Sequence, residues 1–209
     1  MGRLYEISGD FGPHSPKNSM KNSAHHIRRV TATTDLETTL KRAVNVLNFF
    51  NIPHFVIGGY AVQERGYPRL TTDVDIVVPN VMEAREKLCM NGFKENKGSN
   101  MTITDRKNQV EIDILPGGKR ISKGPLPLPM PSKVSDVPQI LDLKILISIK
   151  LSSYIGNPAT RIQDLADVTI LMKNNKLPRD YPVKQEVKAL YQKTWDDLKA
   201  EEAAESLFE

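Results

Sequence analysis

Between Phe55 and Val78 the chain reads FVIGGYAVQERGYPRLTTDVDIVV, and few folds accommodate that run. An apolar stretch, Phe55-Val56-Ile57, stops at Gly58-Gly59. Tyr60 to Arg65 then has the composition of one or two helical turns. A turn at Gly66-Tyr67-Pro68 follows, and Asp73-Val74-Asp75 leads into Ile76-Val77-Val78. The reading is strand, glycine turn, short helix, loop, strand. Side chains alternate across a strand, so Asp73 and Asp75 project from one face. Like charges so placed repel unless something positive lies between them, and a divalent cation with a taste for oxygen ligands, Mg²⁺ above all, meets that need. The plain alternative is a polar strand edge.

The 209-residue chain has room for one domain with an appended helical unit, and 39% hydrophobic with 26% charged residues excludes global disorder. No apolar run is long enough to span a bilayer, so no membrane partner is expected, and the first residues lack the apolar core of a secretory signal. Cys89 is the only cysteine, which suits a reducing, cytoplasmic setting. The net charge is +4. The last residues, from Asp196, are strongly acidic, so the body of the chain is basic and suited to polyanions such as nucleotides or RNA.

Residues 1–30 are expected to be a poorly ordered N-terminal segment, interrupted by Gly9, Gly12, Pro13 and Pro16, with His14, His25 and His26 lacking partners at metal spacing. A helix is expected from Thr33 or Thr34 to Asn51, with Leu36, Leu40, Val44, Leu47 and Phe50 as its apolar stripe. His54 reads as a strand-edge residue. Further helices are expected over Val81–Met90, Leu141–Ile155, Arg161–Asn174 and Val183–Phe208. Further strands are expected over Phe93–Lys97, Met101–Asp105 and Gln109–Leu115. In the last of these, Glu111 and Asp113 share a face, which supplies a further carboxylate. Pro125, Pro127, Pro129 and Pro131 alternate with Leu126, Leu128 and Met130 in a connector that cannot enter a sheet interior. Lys119, Arg120 and Lys123 precede it, read as solvated loop charges with guidance of an anionic substrate as the alternative. Lys150 interrupts a very apolar helix; it either snorkels to water or points at a bound phosphate. Arg161, Asp164 and Asp167 lie three apart, as in a surface ion-pair row.

The ordered set Gly58-Gly59, Asp73-x-Asp75 and Asp113 resembles the DNA polymerase β-like nucleotidyltransferase superfamily. Arg69-x-Thr71-x-Asp73-x-Asp75, followed by Lys150-Leu151 and by Arg161, Asp164 and Asp167, is similar to the AbiEii-type branch, whose members include toxins of toxin–antitoxin systems. The resemblance covers about residues 33–174. It implies an α+β fold: a small mixed-sheet nucleotidyltransferase core over 31–138, followed by a helical C-terminal part over 139–209.

The implied activity is transfer of a nucleoside monophosphate from an NTP to an acceptor hydroxyl on tRNA or protein, with an antitoxin as a further partner. A small-molecule, antibiotic-modifying transferase and a non-catalytic binding module of the same fold are the alternatives. Asp73, Asp75 and Asp113 would be catalytic and would hold two Mg²⁺ ions, or Mn²⁺ in their place, with Glu111 as an alternative third ligand. Gly58 and Gly59 would leave room for the triphosphate to reach backbone N–H groups. Arg69, Thr71, Lys150, Arg161 and Asp164 would complete the substrate site.

Overall fold

The computed structural model describes residues 34–120 and 122–206. The N-terminal segment, the histidines within it, Thr33 and the Phe208 end of the last helix lie outside that range. The described elements are α1 (34–49), β1 (Phe55–Ile57), α2 (Gly58–Glu64), β2 (Asp73–Val78), α3 (Val81–Met90), β3 (Phe93–Glu95), β4 (Thr102–Asp105), β5 (Glu111–Pro116), α4 (Leu143–Gly156), α5 (Ile162–Asn174) and α6 (Gln185–Glu205).

One mixed sheet runs in the order β1-β2-β5-β4-β3. β2 and β5 are its parallel centre, with Asp73 level with Glu111 and Asp75 level with Asp113. β1 runs antiparallel to β2, and β4 antiparallel to β5. The three strands expected as neighbours, around Phe55, Asp75 and Asp113, are neighbours. The fold is the α+β arrangement expected, a mixed sheet followed by helices.

Alternation along the central strands divides the interior. Val74, Ile76, Val78, Ile112 and Ile114 face Leu40, Val44 and Leu47 of α1 and Ala84 and Leu88 of α3. Val77 and Leu115 face the other way, onto α4, α5 and α6 through Leu146, Leu151, Val168 and Tyr191. The sheet is therefore a middle layer with helices on both faces. Each fully buried Leu or Ile contributes about 1.5–3 kcal/mol. On the second face the helices cover only the Val77/Leu115 end. The Asp73/Asp75/Asp113 end stays open.

Helix ends follow local chemistry. Asn80 caps α3, accepting from Met82 N at 3.1 Å and Glu83 N at 3.3 Å. Gly92, at φ 100°, supplies the left-handed step after its end. α4 starts two residues later than expected. Leu141 donates its N–H to Val56 O at 3.0 Å, and Asp142 caps the helix by accepting from Lys144 N at 3.0 Å. The same segment covers the outer edge of β1, where Val56 N also donates to Gln139 O at 2.7 Å. This explains a correction: His54 is not an edge residue but is buried, its Nδ1 2.9 Å from Ile52 O, and burial lowers its pKa. β5 starts at Glu111 rather than Gln109, because Gln109 sits at φ 57° in a tight turn from β4. Among the described residues no helix is long and apolar enough to cross a membrane.

Candidate active site

A cleft of about 960 Å³ opens on the second face of the sheet. All ten residues singled out for the site line it: Gly58, Gly59, Arg69, Thr71, Asp73, Asp75, Asp113, Lys150, Arg161 and Asp164. They come from the start of α2, the loop between α2 and β2, β2, β5, α4 and the start of α5, segments separated by up to about half the chain.

The floor is acidic. Thr71 Oγ1 donates to Asp73 Oδ1 at 2.9 Å, and Thr102 Oγ1 donates to Asp113 Oδ1 at 2.6 Å. Among the described residues no donor reaches the Asp75 carboxylate between them. Burial, then repulsion from Asp73 and Asp113, pushes the Asp75 pKa up to about 7, against the opposing pull of Lys150 and Arg161. A carboxylate without a donor, flanked by two others on adjacent strands, fits a hard divalent cation by charge and by ligand chemistry. Among the described residues no three acidic, His or Cys side chains already close on one point, so an ion would draw the three together. Glu111 shares this face but is exposed, accepts from Asn96 Nδ2 at 2.9 Å, and does not line the cleft.

The two glycines line the cleft and also seat neighbouring side chains. A Cβ on Gly58 would lie 1.7 Å from Asp75 Oδ2, and one on Gly59 would lie 2.3 Å from Thr71 Oγ1. They admit Asp75 and Thr71 against the backbone, and Gly58 also takes φ 68°.

Opposite the carboxylates lies a charge-balanced network. Lys150 is 6% exposed, so it does not snorkel. Its Nζ sits 2.8 Å from Asp164 Oδ1 and 2.7 Å from Asp167 Oδ2. An ammonium has three donors, so one remains for a ligand. Asp167 is fully buried, accepts from Arg69 Nη2 at 3.1 Å and from Gln163 Nε2 at 2.9 Å, and pairs in charge with the Arg69 guanidinium. Burial alone would raise its pKa, but Lys150, with the Gln163 and Arg69 hydrogen bonds, holds it below the usual carboxylate range. The expected surface ion-pair row is thus an internal one at Asp167. Arg69, expected to hold substrate, directs its guanidinium at Asp167 and, through Nη1, donates to Leu70 O at 3.2 Å. Arg161 is half exposed and only loosely held, 4.0 Å from Asp164 Oδ2.

Sequence reasoning left five contributors outside the site. Asp167 and Gln163 hold cleft-lining cations or line the cleft themselves. Lys119 and Arg120, read as loop charges, line the cleft rim. Thr102 orients Asp113. The i, i+4 spacing of Gln163 and Asp167 on one helix face was the one local signal; nothing local tied them to Arg69.

No protein-family model matches the chain, and no curated protein matches it. Among solved structures, a solution structure of the antibiotic-resistance factor ANT(2'')-Ia is 13% identical, covering 85% of this chain and 100% of that one at a TM-score of 0.45. A crystal structure of ANT(2'')-Ia in complex with adenylyl-2''-tobramycin is also 13% identical, covering 76% of this chain and 97% of that one at a TM-score of 0.44.

Proposed function

We propose that this chain is a metal-dependent nucleotidyltransferase acting on an NTP and an acceptor hydroxyl. The observation that carries the reading is the pairing of two charge environments in one cleft. Asp73, Asp75 and Asp113 face it from adjacent parallel strands, and Lys150 and Arg161 face it from the helices.

The acceptor oxygen attacks the α-phosphorus, the bond between the α-phosphorus and the bridging oxygen breaks, and pyrophosphate leaves carrying that oxygen. The hydroxyl proton passes to a carboxylate of the floor, and Asp113, oriented by Thr102, is placed for that role. Asp73, Asp75 and Asp113 would hold Mg²⁺, which would supply neutralisation of the phosphate charge and acidification of the attacking hydroxyl. Lys150 offers its one unused donor to the β- or γ-phosphate, and Arg161, free of a tight partner, closes on the same group. Asp164 and Asp167 aim Lys150. Positioning and charge dominate this chemistry, which matches a cleft with no Cys or His among its described lining residues.

For the acceptor, cleft size favours a small molecule. Ligand pockets run to about 1,000 Å³ for a drug-sized molecule, so about 960 Å³ holds an NTP with a compact acceptor. The AbiEii resemblance favours tRNA or protein instead, and the basic rim at Lys119 and Arg120 suits the RNA arm. Incubation with each labelled NTP, Mg²⁺ and a cell extract tests all of this. Label on any acceptor, abolished by chelation, supports transfer, and its migration with RNA, protein or small molecules names the class. Nucleotide binding without label transfer would leave a binding module.

A further inference from the structure

The cleft has a part that the chemistry above leaves unused. Leu115 and Pro116, downstream of Asp113 on β5, continue its wall, and Leu126, Leu128, Leu146 and Ile149 complete an apolar surface. Leu126 and Leu128 come from the proline-rich connector, which lies outside every helix and strand.

That connector is fixed in place. Gly118 N donates to Leu128 O and Leu128 N donates to Lys119 O, both at 2.9 Å, which closes the loop at its base. Leu126 N donates to Ser152 Oγ of α4 at 2.9 Å. Gly124 and Gly156 bring the two backbones together. A Cβ on Gly124 would lie 1.8 Å from Ser152 O, and one on Gly156 would lie 2.4 Å from Gly124 N. The prolines pre-set an extended backbone and lower the entropy lost on ordering it. Pro127 is exposed between half-buried Leu126 and buried Leu128, so the alternation turns leucine inward. An apolar wall held this firmly beside a charged site needs an apolar ligand surface to cover it. Ser153 also lines the cleft, and among the described residues its hydroxyl has no hydrogen-bond partner.

We propose that the connector wall is the nucleobase pocket: the ring of the NTP lies against Leu126 and Ile149, and its polar edge meets the Ser153 hydroxyl. The inference rests on the nucleotidyl-transfer reading and adds to it the part of the NTP that the charged residues do not hold. A flat heteroaromatic ring has apolar faces and a hydrogen-bonding edge, which is the combination this wall complements. A cationic acceptor does not fit it, because the acids lining the cleft are Asp73, Asp75, Asp113 and Asp164, and none lies on the connector.

The test compares affinities of the full chain, with Mg²⁺, for the four NTPs and for inorganic tripolyphosphate, which carries the phosphates without ribose or base. Wild type should bind its preferred NTP about ten-fold or more tighter than tripolyphosphate. Leu126→Ala and, separately, Ile149→Ala should weaken that NTP by about ten-fold, the scale of losing a few buried methylene contacts. Both should leave tripolyphosphate affinity unchanged, which also shows that the variants are folded. Ser153→Ala should change the ranking of the four bases. Equal affinity of wild type for tripolyphosphate and every NTP overturns the pocket while leaving the transferase reading intact. So do variants with unchanged NTP affinity but a raised acceptor KM, which would assign the wall to the acceptor. Binding of neither probe overturns both readings together.

Discussion

Two clusters of charge face each other across this cleft, and they are built on opposite rules. In the Lys150–Asp164–Asp167–Arg69 network each acid has a cation within about 3 Å, and Asp167 is fully buried. On the floor, Asp75 stands between two other acids with no donor. The network is balanced in charge without a ligand. The floor is complete only with one. A protein can hold an uncompensated cluster of like charge where the fold elsewhere supplies the stability, and such clusters mark places where something else binds. Mutations in the two clusters should therefore have opposite signatures.

The largest effect should come from Asp75→Asn, which keeps the shape and removes the charge. Turnover should fall about a thousand-fold or more, since charge stabilisation dominates this chemistry. Stability of the metal-free protein at pH 8 should not fall, and relief of the repulsion should raise it. Parallel label-transfer and urea-unfolding measurements check this. A variant less stable than wild type with no link to Mg²⁺ would erase the contrast between the clusters.

Asp167→Asn should do the reverse. It leaves Arg69 beside a neutral amide and Lys150 with Asp164 alone, and breaking a buried pair costs about 3 kcal/mol or more. Urea denaturation in the absence of ligand reads this directly. A loss below about 1 kcal/mol would mean that the network orders side chains without stabilising the fold. Lys150→Ala should lose stability as well as NTP affinity, because it leaves Asp167 with Arg69 alone and Asp164 with only the distant Arg161.

The clusters should also part on titration. Asp75 has a raised folded-state pKa, so below about pH 4 it is protonated in both states and does not destabilise the fold. As pH rises toward 7 the unfolded chain releases its proton and the folded one retains it, so stability falls, by at most about 1.4 kcal/mol per pH unit. Asp167 has a lowered folded-state pKa, so its contribution is present above the ordinary Asp range and lost as acid protonates it. Unfolding free energies of wild type and Asp75→Asn from pH 4.5 to 8 should converge at the acid end. Mg²⁺ should flatten the wild-type slope. Parallel curves would remove Asp75 from the account.

The smallest effect should be Arg161→Ala. Its guanidinium is half exposed and 4.0 Å from Asp164, so the fold loses nothing measurable. NTP affinity should fall about five- to ten-fold, a few charge-assisted contacts' worth. A calorimetric titration with an NTP checks it, and unchanged affinity would leave Lys150 as the only phosphate contact from the helical part.

Much of the arrangement was written in local pattern. The three-residue run before Gly58, the two-residue spacing of Asp73 and Asp75, and the matching face of Asp113 require only that strand side chains alternate. With those strands adjacent, the carboxylate floor follows. Helix α3 is legible for the same reason: Asn80 and Gly92 bracket it with groups that satisfy its own ends. Tertiary structure decided what local pattern does not carry. Arg69 meets Asp167 across 98 positions, so no periodicity distinguishes an arginine that grips substrate from one that grips a buried aspartate. That Gly58 also seats the Asp75 carboxylate is invisible until the two segments pack. The connector reads as mere breakers until Gly124 and Gly156 touch. Alternation and capping act between near neighbours and are fixed by backbone geometry. The partner of a buried charge, or of a missing Cβ, is fixed by which distant segments the two cores press together.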